Sequence, residues 1–232
     1  MKYLVSLMIG VVVGAGLLVL GLYYNPFSAQ TAVSPLAVTD EQVIDLAFSA
    51  VPQEGILYSD HGESIVDPYP DRVAELWEPA VVDTRVWVTE LMDGLGQFTG
   101  IGIKFSSESE QTRLINGKAL ANSVWQVYLP GKGTFMIDQT ENYWSYIREV
   151  VVPARMSSGD NWRGAFHGVM TSGPGSLGTA RVTGGSGLYR NLESEAVESL
   201  TARGYSAVQG PVAMTGSLTV ALPKAESASV ER

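Results

Sequence analysis

Residues 82–89, Val82-Asp83-Thr84-Arg85-Val86-Trp87-Val88-Thr89, alternate Val82, Thr84, Val86 and Val88 with Asp83, Arg85, Trp87 and Thr89. A period of two marks a β-strand, because successive side chains point to opposite faces of the sheet. Similar runs follow at residues 97–105, 120–129, 133–138, 143–152, 162–170, 179–183 and 212–222. Turn signals separate them: Asp93-Gly94, Asn116-Gly117, Pro130-Gly131, Ser158-Gly159-Asp160, Gly173-Pro174-Gly175 and Gly184-Gly185. About eight strands joined by short turns predict a mainly β fold, an antiparallel barrel or sandwich. Of the 25 glycines, 19 fall at or after Gly94. Glycine inside a strand, as in Thr99-Gly100-Ile101-Gly102-Ile103, suits the sharp bends of a small barrel.

Upstream of this region the texture changes. Thr39-Asp40-Glu41-Gln42 reads as a capping box, with Val43, Leu46, Ala47 and Ala50 at helical spacing behind it. A short helix is therefore expected at about residues 40–50, stopped by Pro52, and a second at residues 71–78, ended by Pro79. Residues 25–38 hold two prolines, small residues and no charge, and read as a linker. At the far end, 22 residues from Tyr3 to Tyr24 carry no charge. As a helix they span roughly 33 Å, enough for the hydrocarbon core of a bilayer. Tyr3 and the Tyr23-Tyr24 pair suit the two interfaces, and Gly10-x-x-x-Gly14 is a minimal helix-pairing motif. The expected organisation is thus an anchor at 1–24, a linker at 25–38, an acidic lead-in at 39–79, a barrel at 80–223 and a frayed tail at 224–232.

Charge orients the anchor. Lys2 and the amino terminus are positive, and no Lys or Arg occurs from residue 3 to residue 71. By the positive-inside rule residues 25–232 lie outside the cytoplasm, in the periplasm or cell exterior, and the anchor contacts the bilayer. A secreted form cut from a signal peptide is the alternative; the sites after Ala29 and Ala32 place Phe27 and Gln30 where a small residue is wanted. Residues 25–71 carry eight acids and no base, against 14 bases and 16 acids in 72–232. The net charge of −9 argues against nucleic-acid binding. With no cysteine there is no disulfide, zinc ribbon, iron–sulfur cluster, thiol nucleophile or lipidated-cysteine anchor.

Residues 162–168 (Trp-Arg-Gly-Ala-Phe-His-Gly), then 178–189 (Gly-Thr-Ala-Arg-Val-Thr-Gly-Gly-Ser-Gly-Leu-Tyr) and Leu192, resemble the dirigent and allene-oxide-cyclase-like barrel superfamily. Its late strands carry a V-x-G-G-T-G-x-F/Y turn; Ser186 stands here for the threonine, and Asn191-Leu192-Glu193 stands where Ala-Arg-Gly often follows. The resemblance covers about the last 60 residues. It implies an eight-stranded antiparallel barrel with a central apolar cavity, often in an oligomer, and no particular reaction.

Chemistry is harder to find. Gly173-Pro174-Gly175-Ser176-Leu177-Gly178 matches a dinucleotide fingerprint, but a strand rather than a helix follows, so no phosphate cradle forms. Gly184-Gly185-Ser186-Gly187-Leu188 lacks the last glycine of a nucleophile elbow. Two histidines, His61 and His167, have no partner at metal-ligand spacing, so neither metal nor cofactor is expected. Glu108 and Glu110 read as a solvated hairpin end. The candidate lining of a ligand site is Trp125, Tyr128, Tyr146, Trp162, His167 and Tyr189, the catalytic residues being unknown. The expected function is an anchored module binding a small apolar ligand or a partner protein. The alternative is a cofactor-free isomerase or cyclase that confines an apolar substrate.

Overall fold

The computed structural model describes residues 2–23, 42–51, 57–60, 63–64 and 84–222. Helix α1 (Lys2–Tyr23) is apolar and long enough to cross a membrane or to act as a signal sequence, and none of its span is buried against the rest of the chain. The remaining elements are mainly strands. In chain order they are β1 (Gln42–Ser49), β2 (Leu57–Asp60), β3 (Glu63–Ser64), β4 (Arg85–Met92), β5 (Phe98–Glu108), β6 (Leu120–Leu129) and β7 (Gly133–Asn142). There follow a short helical passage, then β8 (Asn161–Val169), β9 (Thr171–Gly173), β10 (Ala180–Gly187), β11 (Glu193–Ser206) and β12 (Gly210–Leu222). All described pairings are antiparallel.

The sheet closes on itself in the order β1, β12, β11, β10, β7, β6, β5, β4 and back to β1, an eight-position barrel. The slot between β7 and β11 is shared: β10 fills one end, while β8 lies along the second half of β11 and β9 along the end of β7. Closure between β1 and β4 rests on one pair, Ala47 with Met92. Along Val86–Val88 the same edge of β4 pairs with β2 instead.

Two local expectations are overturned. The helix expected at residues 40–50 is strand β1, which runs in eight-residue register with β12 from Gln42 opposite Leu222 to Ser49 opposite Thr215. The same residues also carry a period of two: Leu46 and Phe48 are buried, whereas Val43, Asp45 and Ala47 are exposed. Pairing with β12 and burial of that face outweigh the capping box, since tertiary context overrides local propensity. The barrel therefore begins well before residue 80. The strand expected at 143–152 is helical: α2 (Trp144–Tyr146), a π-helical turn Ile147–Val151 and α3 (Val152–Met156). Its buried residues Tyr146, Val150 and Ala154 stand four apart, the spacing of one helix face. Pro153, which would interrupt a strand ladder, sits harmlessly in the first turn of α3. The expected helix at residues 71–78, the linker, the tail and His61 lie outside the described residues.

The glycine turn is a strand with a bulge. β10 continues to Gly187, its register with β7 shifting between Gly184 and Ser186, and only Gly187 of the three glycines has a positive φ, 63°. The loop beyond folds back so that the Gly184 N–H donates to the Leu192 carbonyl at 2.7 Å. Tyr189 and Leu192 are then buried in the core, Tyr189 edge-on to Phe135 at 5.2 Å. Both belong to the same core cluster as Phe135 and Val182.

Candidate functional site

Alternation along each strand decides what fills the barrel. On β6 the inward positions are Ser123, Trp125, Val127 and Leu129, and on β7 they are Phe135, Ile137, Gln139 and Glu141. Because Val127 faces Phe135 and Ser123 faces Gln139, the interior is graded: apolar toward Leu129, polar toward Ala121 and Glu141. Strand β5 presents Gly100, Gly102 and Lys104 inward. The glycines leave room for a large neighbour, since a Cβ on Gly102 would stand 2.8 Å from the Trp125 ring. Trp125 lies there fully buried, 4.8 Å from Phe48 between ring centroids, with Lys104 Nζ 5.3 Å from its own centroid.

Lys104 is the centre of a buried charge cluster. Its Nζ donates to Glu141 Oε1 at 2.7 Å, and to Glu198 Oε1 and Oε2 at 2.7 and 2.9 Å. Glu141 and Glu198 have side chains 0% and 1% exposed, and the Lys104 side chain keeps 10%. Further donors surround Glu198: Trp125 Nε1 reaches Oε2 at 2.8 Å, and Gln139 Nε2 donates to the same oxygen. Thr171 completes a loop, donating to Gln139 Oε1 at 2.8 Å and accepting the Glu198 N–H at 2.7 Å. On the other side the Tyr143 hydroxyl, half-buried at the start of α2, donates to Glu141 Oε1 at 2.7 Å. Strands β5, β6, β7, β9 and β11 each contribute one or more members.

Protonation states follow from this geometry. Burial alone would lower the Lys104 pKa, but the charges of Glu141 and Glu198 outweigh it and hold the ammonium well above 10.5. Burial, then the Glu141 charge, push the Tyr143 phenol well above 10.0, so it remains a donor. Burial and the charge of Glu141 also push the Glu198 carboxyl above 4.5, against the pull of Lys104 and Trp125. In the interval above pH 4.5 folded Glu198 binds a proton that the unfolded chain does not. Its contribution to stability therefore grows as pH falls through that interval and is complete by pH 4.5. Urea titrations of wild type and Glu198→Gln should show this gain in the former alone; parallel pH profiles would refute the assignment. Lys104 acts at the other extreme: its contribution is complete below pH 10.5 and is lost as pH rises through the higher folded value.

The six expected lining residues divide. Trp125, Tyr146 and Tyr189 are buried, and Trp162 packs against the same core; Tyr146 lies 5.7 Å from Phe166 and 6.1 Å from Tyr205 between ring centroids. Burial, then Tyr205, raise the Tyr146 pKa, and its hydroxyl has no hydrogen-bond partner among the described residues. Tyr128 is 49% exposed and His167 faces solvent, its Nδ1 3.0 Å from Thr201 Oγ1, so neither lines the interior. Both stand on the outward register of their strands. Only Trp125 touches the charge cluster. Among the described residues no group of three or more His, Asp or Glu side chains has the arrangement of a metal site.

No family model and no curated protein matches the chain. Among solved structures it is similar to the Diels Alderase AbmU from Streptomyces koyangensis, at 11% identity over 82% of this chain and 73% of that one. The TM-score is 0.36, and a likeness of that size assigns no reaction to this chain. The barrel implied by the dirigent and allene-oxide-cyclase-like resemblance is present; membership of that superfamily is matched by no family model.

Proposed function

We propose that this chain is a membrane-anchored, extracytoplasmic β-barrel that holds a small, largely apolar molecule. The polar part of that molecule would be turned toward Lys104, Glu141 and Glu198. The observation that carries the reading is the cluster itself. A lysine between two carboxylates, walled by Trp125, is a poor way to stabilise a core, because well-packed apolar residues usually do as well or better. Buried groups with displaced pKa values are instead characteristic of functional sites. Half-buried Tyr143 and the residual exposure of Lys104 support access at this end of the barrel. The uncharged α1 with Lys2 before it supports the anchor and its orientation.

A second reading, an isomerase or cyclase, is favoured by one specific observation. Glu198 is a buried carboxyl hydrogen-bonded to Lys104 and Trp125, and burial and Glu141 push its pKa upward, the direction a general acid needs. Native mass spectrometry of the full chain, purified from its own membranes, tests both. A retained small molecule, lost on unfolding, is the expected result. Its chemical conversion during incubation would establish the second reading, and an empty barrel that takes up no apolar compound would overturn both.

A further inference from the structure

We infer that Glu141 and Ser123 form a subsite for a primary ammonium group, so that the guest is an apolar molecule with one amine. The inference rests on the proposed reading of the barrel as a binding site and names the chemistry of its polar pole. Among the described residues, two side-chain oxygens at this pole are buried without a partner: Glu141 Oε2 and Ser123 Oγ. Their residues are 0% and 3% exposed. Both lie on the inward register, and Ser123 faces Gln139 while Glu141 faces Ala121, so they are diagonal neighbours on one face. In that relation Cβ atoms stand about 7 Å apart.

The wall beside them is built of small side chains. Ser106 of β5 pairs with Ser123, and Ala121 stands opposite Glu141. Two features then select the occupant. A carboxylate oxygen accepts only, and a hydroxyl oxygen accepts as readily as it donates. A group with several N–H donors satisfies both at once; an alcohol, with one, satisfies Glu141 or Ser123 but not both. Charge points the same way. Lys104 is one cation against two carboxylates, and leaving such an imbalance buried is costly. A monocation supplies the missing charge, taking the place of the proton that Glu198 otherwise attracts. Arg or Lys side chains that would fill this role are absent from the described contacts of Glu141 Oε2. An apolar tail on the amine would pack against Trp125 and Phe48.

Calorimetric titration of the full chain in detergent with hexylamine and with 1-hexanol tests the assignment. Wild type should bind the amine at least about tenfold more tightly than the alcohol, the scale of one charge-assisted hydrogen bond. Glu141→Gln should bring the amine down to the level of the alcohol. Ser123→Ala, a milder change that keeps every charge, should weaken the amine about three- to tenfold and leave the alcohol unchanged. Amine affinity should also fall as pH is lowered and a proton occupies Glu198. Equal binding of amine and alcohol by wild type would overturn the subsite while leaving the barrel as an apolar-guest module. Binding of neither would overturn both.

Discussion

Lys104→Met should lower the unfolding free energy of the barrel by about 3–5 kcal/mol, the usual cost of stranding buried charge. The substitution nearly conserves the stem of the side chain, so little packing is lost. What it removes is the ammonium that holds Glu141 and Glu198 at 2.7 Å on either side. The two carboxylates then face each other in an interior with Gln139, Trp125 and Tyr143 as their remaining donors. Adding Glu141→Gln and Glu198→Gln to the same chain should restore most of the loss, because the triple variant buries no net charge. Denaturant titrations of the single and triple variants give the comparison directly. A single variant as stable as wild type would mean that the triad is not closed as described.

An equally large effect is expected at Gly184. A Cβ there would overlap the carbonyl oxygen of Tyr189 and stand 2.6 Å from the Leu192 amide nitrogen, both backbone atoms with no freedom to swing aside. Gly184→Val should therefore cost about 3 kcal/mol or more, at the upper end of overpacking. It also threatens the bond from the Gly184 N–H to the Leu192 carbonyl, which holds Tyr189 and Leu192 in the core. Gly94→Val, at a turn where an added Cβ meets nothing within 4 Å, is the control and should stay within about 0.5 kcal/mol. Were Gly184→Val to melt with wild type while losing any bound guest, the loop would belong to the binding site rather than to the scaffold.

Much of the architecture was legible because its signals are local. Val82–Thr89 alternates without interruption, and the runs ending at Leu129 and Leu222 lie within a residue or two of β6 and β12. Where local and tertiary signals disagree, the reading fails. The segment Val43–Ala50 satisfies both periods, and only β12 decides between them. β11 was assigned no element, although at 14 residues it equals or exceeds every other strand. Its inward set, Ala196, Glu198, Leu200 and Ala202, contains a carboxylate where a strand pattern wants an apolar residue. That residue closes the buried charge cluster with Lys104. Lys104, Glu141 and Glu198 are 37 and 57 positions apart in sequence, so no motif spacing could join them. One trace was available: Lys104 continues the inward register of Gly100 and Gly102, a charge on the face that those glycines mark as crowded.

Seven of the eight junctions around the barrel wall are paired over four or more residues; the eighth, between β1 and β4, is held by Ala47 and Met92 alone. In mechanical terms the wall is a lapped sleeve tacked at a single stitch. Parting that stitch sacrifices at most two backbone hydrogen bonds, about 1–3 kcal/mol net, far less than unravelling any neighbouring seam. Beyond the stitch the same edge of β4 is covered by β2 along Val86–Val88, and Trp87 there pairs with Lys104 across the β4–β5 ladder. Any opening of the wall should therefore run along the line between β1 and β4 before any other.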